Sequence, residues 1–474
     1  MYTQTAGRGN ALGRLAFLGC ILMLLAACVA SGGTAPGAQP KNIIILFADG
    51  TAPTQWDFGR YSSRLLRGRG FATTDVVFDQ GSLGLLITSP ANAYITDSAA
   101  AASAMSIGAK VNIGAIAVTP DGNASLPTLM ETARARGKRI GLVSTATIYD
   151  ASPAAFSVHA KVRSDSQAIV DQYLALEPEV LLGGGRDYFL PAGKDGGKRS
   201  DSRDMVAAFR AKGYAFATDA ASLKAANGPR LLGLFANEDM DFEIDRNPAE
   251  PSTADMARAA LATLERDNPK GFVLLVENEN TDSAGHRNDA AALMHALWAF
   301  DDAVQVALEF QKRSPDTLVV LTGDHETGGL SITYAQRDMS LFTSGNRLYA
   351  GDAELRMIAG ITSSFDAMLE RLGKQPSADA LDRELAKHFP GFRLDADLRE
   401  HLLKNQPLER NFTYGPGSIF GRMVARQTGY YWGTSGHTTE PVAVGAIGPG
   451  AERLRGYYDN TGFATRMRAL IEGR

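Results

Sequence analysis

Short runs of apolar residues alternate along the chain with longer amphipathic segments. Six of these runs are five to seven residues long and rich in Val, Ile and Leu, which is typical of strands buried on both faces of a parallel sheet. The segments between them include two with helical periodicity, at 126–137 and 254–267. This alternation predicts an α/β fold, a three-layer sandwich whose mostly parallel central sheet carries helices on both faces. The predicted strands are residues 42–48, 139–145, 180–184, 271–277, 317–323 and 442–448.

The alternating pattern stops between residues 331 and about 430. This stretch contains helical segments at 352–372 and 381–389 and an aromatic, glycine-rich run before Gly436. We expect residues 331–430 to be a helical insertion that covers the carboxyl edge of the sheet, within one catalytic domain of residues 41–474. The sequence leaves open whether the insertion sets access to the site or forms contacts between subunits.

The N-terminal residues have the pattern of an export signal. Two arginines precede a hydrophobic run that is too short to span a bilayer and ends in small residues. We interpret residues 1–28 as a signal peptide whose last four residues, Leu-Ala-Ala-Cys, are similar to a bacterial lipobox. Cys28 would then be lipidated and would anchor an exported protein in the periplasm or at the outer cell surface; the alternative is a plain secretory signal in which Cys28 is incidental. Residues 29–40, rich in Gly, Ala and Pro, would form a flexible linker.

Composition and charge narrow the range of functions. The 474 residues are 45% hydrophobic and 21% charged, which is enough for a large globular core. The formal net charge of −4 provides no broad basic field, which argues against a nucleic acid partner. Both cysteines, Cys20 and Cys28, lie in the predicted signal peptide, so we expect no disulfide in the mature fold.

Residues that bind metals recur at the carboxyl ends of the predicted strands. Asp49 follows the first strand and Glu277 ends the fourth. Asp324 and His325 follow the fifth. Because the carboxyl ends of strands in an open α/β sheet border the same crevice, we expect these side chains to meet there.

An aspartate and two further histidines are expected at the same edge. Asp282 and His286 are four residues apart at the start of a helical pattern, so both fit one side of its first turns. The alternative is that Thr281 or Asp282 caps this helix while His286 is merely exposed. His437 precedes the last predicted strand. The histidines within helical patterns, which we interpret as structural or exposed, are His295, His388 and His401.

Four carboxylates in one crevice would repel one another and lose their hydration unless cations compensate them. The imidazoles favour zinc or another transition metal, whereas a set of oxygen ligands suits magnesium. Three divalent ions would leave the four carboxylates with a total charge of about +2. Such a charge attracts a phosphate dianion.

A serine is available as a nucleophile. Asp97 and Ser98 precede an alanine-rich segment with strong helix propensity, so Ser98 is predicted at a helix N-terminus, whose free N–H groups suit an anion attached to that serine. The alternative is simple capping of the helix by Asp97 or Ser98. A metal that lowers the pKa of the hydroxyl would activate it without a histidine base.

Five motifs in this chain, in this order and with these gaps, resemble those of the alkaline phosphatases, which are metal-dependent phosphomonoesterases. The resemblance extends from about Lys41 to about Gly462. It implies an alkaline phosphatase-like fold, hydrolysis of small-molecule phosphate monoesters through a phosphoserine, and a centre of two zinc ions and one magnesium ion; relatives are often homodimers. The motifs are DSAAAASA at 97–104, DASPAAFSVHAKVR at 150–163, VENENTDSAGH at 276–286, TGDHETGG at 322–329 and SGHT at 435–438.

The resemblance also implies a role for each matching residue. Ser98 would be the nucleophile, and Arg163 would hold two phosphate oxygens with its planar guanidinium. Asp97 and Asp150 are candidates for residues that support them. The implied ligand sets are Asp282, His286 and His437 for a zinc ion on the side of the leaving group, Asp49, Asp324 and His325 for a zinc ion beside the nucleophile, and Glu277, Ser152 and the bridging Asp49 for magnesium.

Two positions depart from the pattern of the family. Residues 48–52 are Ala-Asp-Gly-Thr-Ala where the family usually has Gly-Asp-Gly-Met-Gly, and Ser283 stands where some relatives carry a Lys, His or Trp that contacts phosphate or its water. The alternative functions are a phosphodiesterase of the same superfamily and an inactive lipoprotein that binds phosphate. A sulfatase is disfavoured because the residues after Ser98 lack the Cys/Ser-x-Pro-x-Arg signature.

Overall fold

A computed structural model describes residues 39–122, 124–337 and 344–474. The predicted signal peptide, Cys20, Cys28 and most of the predicted linker lie outside the described residues. Within the described ranges, no helix combines the length and the apolar composition needed to cross a bilayer.

Sixteen strands are present in the described part of the chain. Ten of them form the central sheet, and the others form three two-stranded sheets. The strands are β1 (Asn42–Ala48), β2 (Ser82–Ile87), β3 (Arg139–Thr147), β4 (Val180–Gly184), β5 (Ala215–Ala217), β6 (Leu231–Leu234), β7 (Phe272–Asn278), β8 (Thr317–Thr322), β9 (Glu326–Thr327), β10 (Leu330–Ile332), β11 (Tyr334–Gln336), β12 (Arg347–Tyr349), β13 (Tyr430–Trp432), β14 (His437–Thr438), β15 (Val442–Ile447) and β16 (Gly456–Asp459).

The central sheet is mostly parallel, as predicted. Its strand order is β16-β2-β15-β8-β1-β7-β3-β4-β6-β5. Only β15 runs against its neighbours β2 and β8; the other adjacent pairs are parallel. β1 therefore lies in the middle of the sheet, between β7 and β8, and its carboxyl end opens onto the same edge as theirs.

The sheet is buried on both faces, which explains why its central strands are continuous apolar runs. Alternate residues of β1 enter different apolar clusters: Ile44 and Leu46 belong to one, and Ile43 and Ile45 to the other. This division follows from the alternation of side chains along a strand.

Helices cover both faces of the sheet. The face with Ile44 packs against the long helix at 290–313 and against the helix at 253–265, and the opposite face packs against the helices at 98–107, 129–135, 166–176 and 460–472. Short π-helical segments cover Ser63–Arg67 and Thr73–Phe78, and 3₁₀ turns cover Arg186–Phe189, Ser344–Asn346 and Ala451–Leu454. The helices are α1 (Pro53–Ser62), α2 (Ser98–Ile107), α3 (Leu129–Ala135), α4 (Ala151–Ala155), α5 (Ser166–Leu176), α6 (Met205–Ala211), α7 (Ala220–Ala225), α8 (Thr253–Glu265), α9 (Asn280–Arg287), α10 (Ala290–Arg313), α11 (Asp352–Ala359), α12 (Phe365–Leu372), α13 (Ala378–His388), α14 (Ala396–Leu403), α15 (Gly417–Thr428) and α16 (Asn460–Glu472).

The stretch from 331 to 430 contains α11 to α15 and the β11–β12 hairpin. Its buried apolar residues, such as Leu355, Phe365 and Phe420, join the same cluster as α10. The helix expected at 352–372 is in fact two helices, α11 and α12, because the segment between them, Gly-Ile-Thr-Ser-Ser, combines poor helix formers with a serine that caps α12.

Candidate active site

Three buried carboxylates lie at the carboxyl ends of adjacent strands. Glu277 is the penultimate residue of β7, Asp49 directly follows β1, and Asp324 lies two residues after β8. Their exposed fractions are 1%, 3% and 0%. Because β1 is hydrogen-bonded to both β7 and β8, the three side chains emerge side by side at one edge of the sheet.

His325 lies at the centre of this cluster. Its Nε2 is 3.2 Å from Asp324 Oδ2 and 3.6 Å from Asp49 Oδ1. Its Nδ1 is 3.9 Å from Asp282 Oδ1. Ser98 Oγ approaches the same Nε2 to 3.1 Å. One candidate metal-binding group therefore consists of Asp49, Asp324 and His325, whose donor atoms lie within 4.8 Å of one another.

A second group forms around α9. Asp282 Oδ2 and His286 Nε2, one helical turn apart, are separated by 3.1 Å. His437 brings its Nε2 to 3.2 Å from His286 Nε2 and to 3.7 Å from Asp282 Oδ1. Donor atoms of Asp282, His325 and His437 also lie within 4.8 Å of one another, so His325 stands between the two groups.

Asp282 and His286 lie in a short helix of their own, α9, and not at the start of the long helix α10 as predicted. Asn288, with φ +56°, ends α9, and α10 starts afterwards at Ala290.

The alternative in which Thr281 or Asp282 caps a helix is wrong, since α9 begins at Asn280 without a side-chain cap. Thr281 instead donates its hydroxyl to the carbonyl of Asp49 at 2.6 Å.

Backbone carbonyls orient the imidazoles of His286 and His437. His286 Nδ1 is 2.6 Å from the carbonyl oxygen of Ser435, and His437 Nδ1 is 2.8 Å from that of Thr96. A carbonyl only accepts, so each Nδ1 carries a proton, which leaves Nε2 as the nitrogen that can bind a metal once it is deprotonated. This is the usual arrangement of histidines that bind a metal through Nε2.

An oxygen-rich group lies beside Asp49. Ser152, the second residue of α4, donates its hydroxyl to Asp49 Oδ2 at 3.3 Å. Ser144 in β3 donates a hydrogen bond to Glu277 Oε2. These side chains offer only oxygen donors, which suits a hard cation such as magnesium.

The donor set fits bound cations. Within the described ranges, Asp49 Oδ1 and Asp324 Oδ2 are buried without a hydrogen-bond partner. A buried carboxylate oxygen without a donor is costly unless a cation faces it. The two unpaired oxygens belong to the group that also contains His325 Nε2.

Burial and mutual repulsion shift the pKa values of these acids. Burial, and then the negative charges of Asp324 and Asp282, raise the pKa of Asp49 well above its ordinary value. Burial raises the pKa of Asp324 to about 7, and burial and the charge of Asp150 raise that of Glu277 to about 8 against the hydrogen bonds that it accepts. The crevice therefore disfavours full ionisation unless cations compensate its charge.

Asp282 behaves differently from the other acids. Burial alone would raise its pKa, but the adjacent His286, His437 and His325 outweigh burial and hold the pKa well below its ordinary value. Asp282 is therefore ionised.

Ser98 is the first residue of α2, as predicted, and Asp97 is its N-cap. Asp97 Oδ1 accepts a hydrogen bond from the backbone N–H of Ala100 at 3.0 Å. Capping by Asp97 leaves the hydroxyl of Ser98 free to face His325. The capping interpretation therefore applies to Asp97, and the interpretation of Ser98 as a nucleophile stays a prediction.

Arg163 approaches the cluster from the loop after α4. Its Nη2 donates to Asp150 Oδ1 at 3.0 Å, and its Nη1 is 3.4 Å from Asp97 Oδ2. Burial would lower its pKa, but Asp150 and Asp97 raise the pKa above its ordinary value, so the guanidinium is charged. The side chain remains 34% exposed, which gives it access to a ligand that enters the crevice.

Several residues that contact the cluster were not predicted from the sequence. Thr327, in the motif at 322–329, donates a hydrogen bond to Asp282 Oδ1. Ser144 lies inside a strand, where no motif marks it. Tyr414, in the 331–430 segment, stacks on His286, and only the aromatic composition of this segment gave a signal in the sequence.

The three histidines assigned to helices lie outside both candidate metal groups of the described chain. His295 packs against Trp298 in α10, with ring centroids 5.0 Å apart. His388 Nδ1 is 2.9 Å from the hydroxyl of Thr362.

This chain is similar to known proteins both in sequence and in fold. The family model described as alkaline phosphatase matches residues 40–472. Alkaline phosphatase 3 of Bacillus subtilis is 32% identical over 437 residues, which cover 90% of this chain and 88% of that protein. The crystal structure of Thermus thermophilus alkaline phosphatase is 30% identical, with a TM-score of 0.82 over 94% of this chain and 96% of that one. The cold-active alkaline phosphatase of a Shewanella species is 32% identical, with a TM-score of 0.72 over 91% of this chain and 99% of that one.

Proposed function

Since this chain belongs to the alkaline phosphatase family, it hydrolyses phosphate monoesters, and we propose that the buried cluster around Ser98 is the centre at which it does so. The position of Ser98 carries the proposal. Its Oγ lies at the N-terminus of α2, 3.1 Å from His325 Nε2 and beside two groups of candidate metal ligands. A nucleophile, an anion-binding helix end and ligands for cations thus meet in one crevice.

The proposed cofactors are two zinc ions and one magnesium ion. Two sets contain imidazole nitrogen together with carboxylate, which suits zinc, and one contains only oxygen donors, which suits magnesium. When bound, these ions would lower the pKa of the serine hydroxyl and stabilise negative charge on the oxygens around phosphorus. The proposed ligands are Asp282, His286 and His437 for one zinc ion, Asp49, Asp324 and His325 for the other, and Glu277, Ser152 and Asp49 for magnesium.

In the proposed reaction, Ser98 Oγ forms a bond to phosphorus while the bond from phosphorus to the alcohol oxygen breaks. The alcohol leaves with a proton, and phosphoserine remains on Ser98. Water then attacks the same phosphorus atom, inorganic phosphate departs and the serine is restored. Backbone N–H groups at the start of α2 and the guanidinium of Arg163 would donate hydrogen bonds to the other phosphate oxygens.

The main alternative is a phosphodiesterase of the same superfamily. A serine nucleophile, with Glu277 and Ser152 available for a third ion, favours monoesters. The test is the ratio of para-nitrophenyl phosphate to bis(para-nitrophenyl) phosphate hydrolysis by residues 41–474, supplied with zinc and magnesium at alkaline pH. We expect a large preference for the monoester. Preference for the diester would contradict the proposed magnesium site, and no turnover of either ester would favour an inactive phosphate-binding protein.

We also propose that the enzyme is exported and anchored by lipid. The support is the hydrophobic N-terminal run and its Leu-Ala-Ala-Cys end, with residues 1–28 as signal, 29–40 as linker and the catalytic domain from residue 41. In a bacterial host, Cys28→Ser should move activity from the membrane to the soluble fraction, whereas the matched variant Cys20→Ser should leave it with the membrane. A Cys28→Ser protein that stays with the membrane would contradict lipid attachment.

Light scattering by the soluble domain tests for the homodimer that the family resemblance implies.

A further inference from the structure

Tyr414 brings the 331–430 insertion into direct contact with the cluster. Its ring lies on the imidazole of His286, with centroids 3.9 Å apart and planes inclined by 22°. Tyr414 is 46% exposed and His286 only 8%. The tyrosine therefore covers one face of the buried imidazole.

The segment that carries Tyr414 is fixed to the loop that orients His286. The backbone N–H of Thr413 donates to Ser435 Oγ at 2.7 Å, and Asn411 Nδ2 donates to the carbonyl of Gly433 at 2.8 Å. The carbonyl of Ser435 accepts from His286 Nδ1. The loop at residues 433–435 therefore contacts both the segment that carries the stacking ring and the Nδ1–H group of His286.

Arg287 supports the tyrosine from α9. Its guanidinium carbon lies 5.4 Å from the centroid of the Tyr414 ring, within the range of a cation–π contact. Its Nε donates to both carboxylate oxygens of Asp366 in α12, at 2.7 and 2.9 Å. The ring of Tyr414 is therefore in contact with two consecutive residues of α9, His286 and Arg287.

The polar contacts of His286 lie at the edge of its ring: Nδ1 donates to the carbonyl of Ser435, and Nε2 lies close to Asp282 Oδ2 and His437 Nε2. Contacts at the edge oppose rotation of the ring out of its plane only weakly, and such a rotation would redirect Nε2. A planar ring stacked on the imidazole opposes this motion.

We propose that Tyr414 is a positioning residue of the active site, whose ring holds the imidazole of His286 in the orientation that binds the zinc ion on the side of the leaving group. The inference rests on the proposed function, because that function assigns His286 as a zinc ligand. It gives the insertion a specific role, since the insertion completes the surroundings of a metal ligand.

The test is zinc affinity, measured on the full chain by competition with a chelator of known affinity. Groups that orient a metal ligand typically change metal affinity by about 10-fold or more. We expect Tyr414→Ala to weaken binding of one of two zinc equivalents by about 10-fold and to leave the other unchanged. Tyr414→Phe, which keeps the stacking ring, should bind zinc as the unaltered enzyme does.

Two controls separate this role from general destabilisation. Tyr349→Ala removes another exposed tyrosine of the insertion, one that packs on Tyr334, and should leave both zinc equivalents unchanged. Thermal unfolding of the metal-free Tyr414→Ala protein should match that of the unaltered protein. If the alanine variant does not fold, Tyr414→Leu, which fills space without a planar ring, replaces it and should show the same loss.

Two results would overturn the proposal: full zinc affinity without the ring of Tyr414, or an equal loss in Tyr414→Phe. His286→Ala tests the underlying assignment separately and should abolish one zinc equivalent. If His286→Ala retained both equivalents, the assignment of His286 as a ligand would fail, and with it the proposed role of Tyr414.

Discussion

The guanidinium of Arg163 is held between Asp150 and Asp97 at 3.0 and 3.4 Å while remaining partly open to the crevice. Hydrogen bonds to charged groups contribute about 1.5–3 kcal/mol each, so Arg163→Ala should lower kcat/KM by about 10- to 100-fold. Arg163→Lys keeps the charge but loses the planar pair of donors, and should recover only part of the loss. Steady-state kinetics measure both, with Arg313→Ala, which removes a surface partner of Glu265, as the control. An unchanged kcat/KM in Arg163→Ala would remove Arg163 from the site.

The buried acids link stability to pH. In the folded, metal-free protein the pKa of Glu277 is raised from 4.5 to about 8 and that of Asp324 from 3.8 to about 7. Between those limits these two carboxyls bind more protons in the folded state than in the unfolded state, so their contribution to the free energy of unfolding should fall as pH rises from about 4 to about 8. Thermal unfolding of the metal-free protein across this range measures the effect. Glu277→Gln should flatten the slope, and a metal-free protein whose stability rose through the same range would contradict this account.

Added zinc and magnesium should oppose that loss, because cations compensate the deprotonated carboxylates. At a free metal concentration about 100 times the dissociation constant, a bound ion stabilises the folded state by about 2.7 kcal/mol. The increase in melting temperature on adding metal should therefore be larger at about pH 8 than at about pH 5, where protons compete for the ligands. Equal increases at both pH values would argue against these carboxylates as ligands.

Among the connecting elements, the loop after β1 leaves no room for a side chain at Gly50. This residue has φ +69°, and a Cβ there would lie 2.6 Å from Asp282 Oδ1 and 2.7 Å from Thr327 Oγ1. Gly50→Ala should displace Asp282 and reduce kcat by about 100-fold, the scale expected for a misplaced catalytic group. Gly68→Ala is the matched control, since Gly68 has φ +63° and nothing within 4 Å of a Cβ. Both variants carry the backbone strain of about 1 kcal/mol, so equal losses of kcat would show that the contact with Asp282 is unimportant.

The sequence predicted the longer strands that are buried on both faces and missed the shorter ones, including the fully buried β6, and those that are half exposed. β1, β7 and β8 are continuous apolar runs, and each agrees with its prediction to within one residue at either end. β5 has three residues, and β2 alternates between buried and partly exposed positions around Gly84. Short or half-exposed strands are defined by their pairing with neighbours, which composition alone does not reveal.

Over the whole molecule, the sequence indicated which residues meet but not how they are oriented. The strand-end rule brought Asp49, Glu277 and Asp324 to one edge, because parallel strands share their carboxyl side. The order of the strands, which puts β1 between two strands distant in sequence, comes from tertiary packing. The contact of Tyr414 with His286 has the same origin, since it joins the 331–430 segment to α9 and no local pattern links those segments.

The proposed mechanism predicts a covalent phosphoserine, and detecting it is the most direct test. The enzyme would be mixed with a phosphate monoester, quenched in acid and digested, and the phosphorylated peptide located by mass spectrometry. We expect one phosphoryl group on Ser98, its absence from Ser98→Ala, which should also lose nearly all turnover, and its persistence in Ser103→Ala, which alters a buried serine of the same helix. Phosphorylation at another residue, or full turnover by Ser98→Ala, would contradict the account.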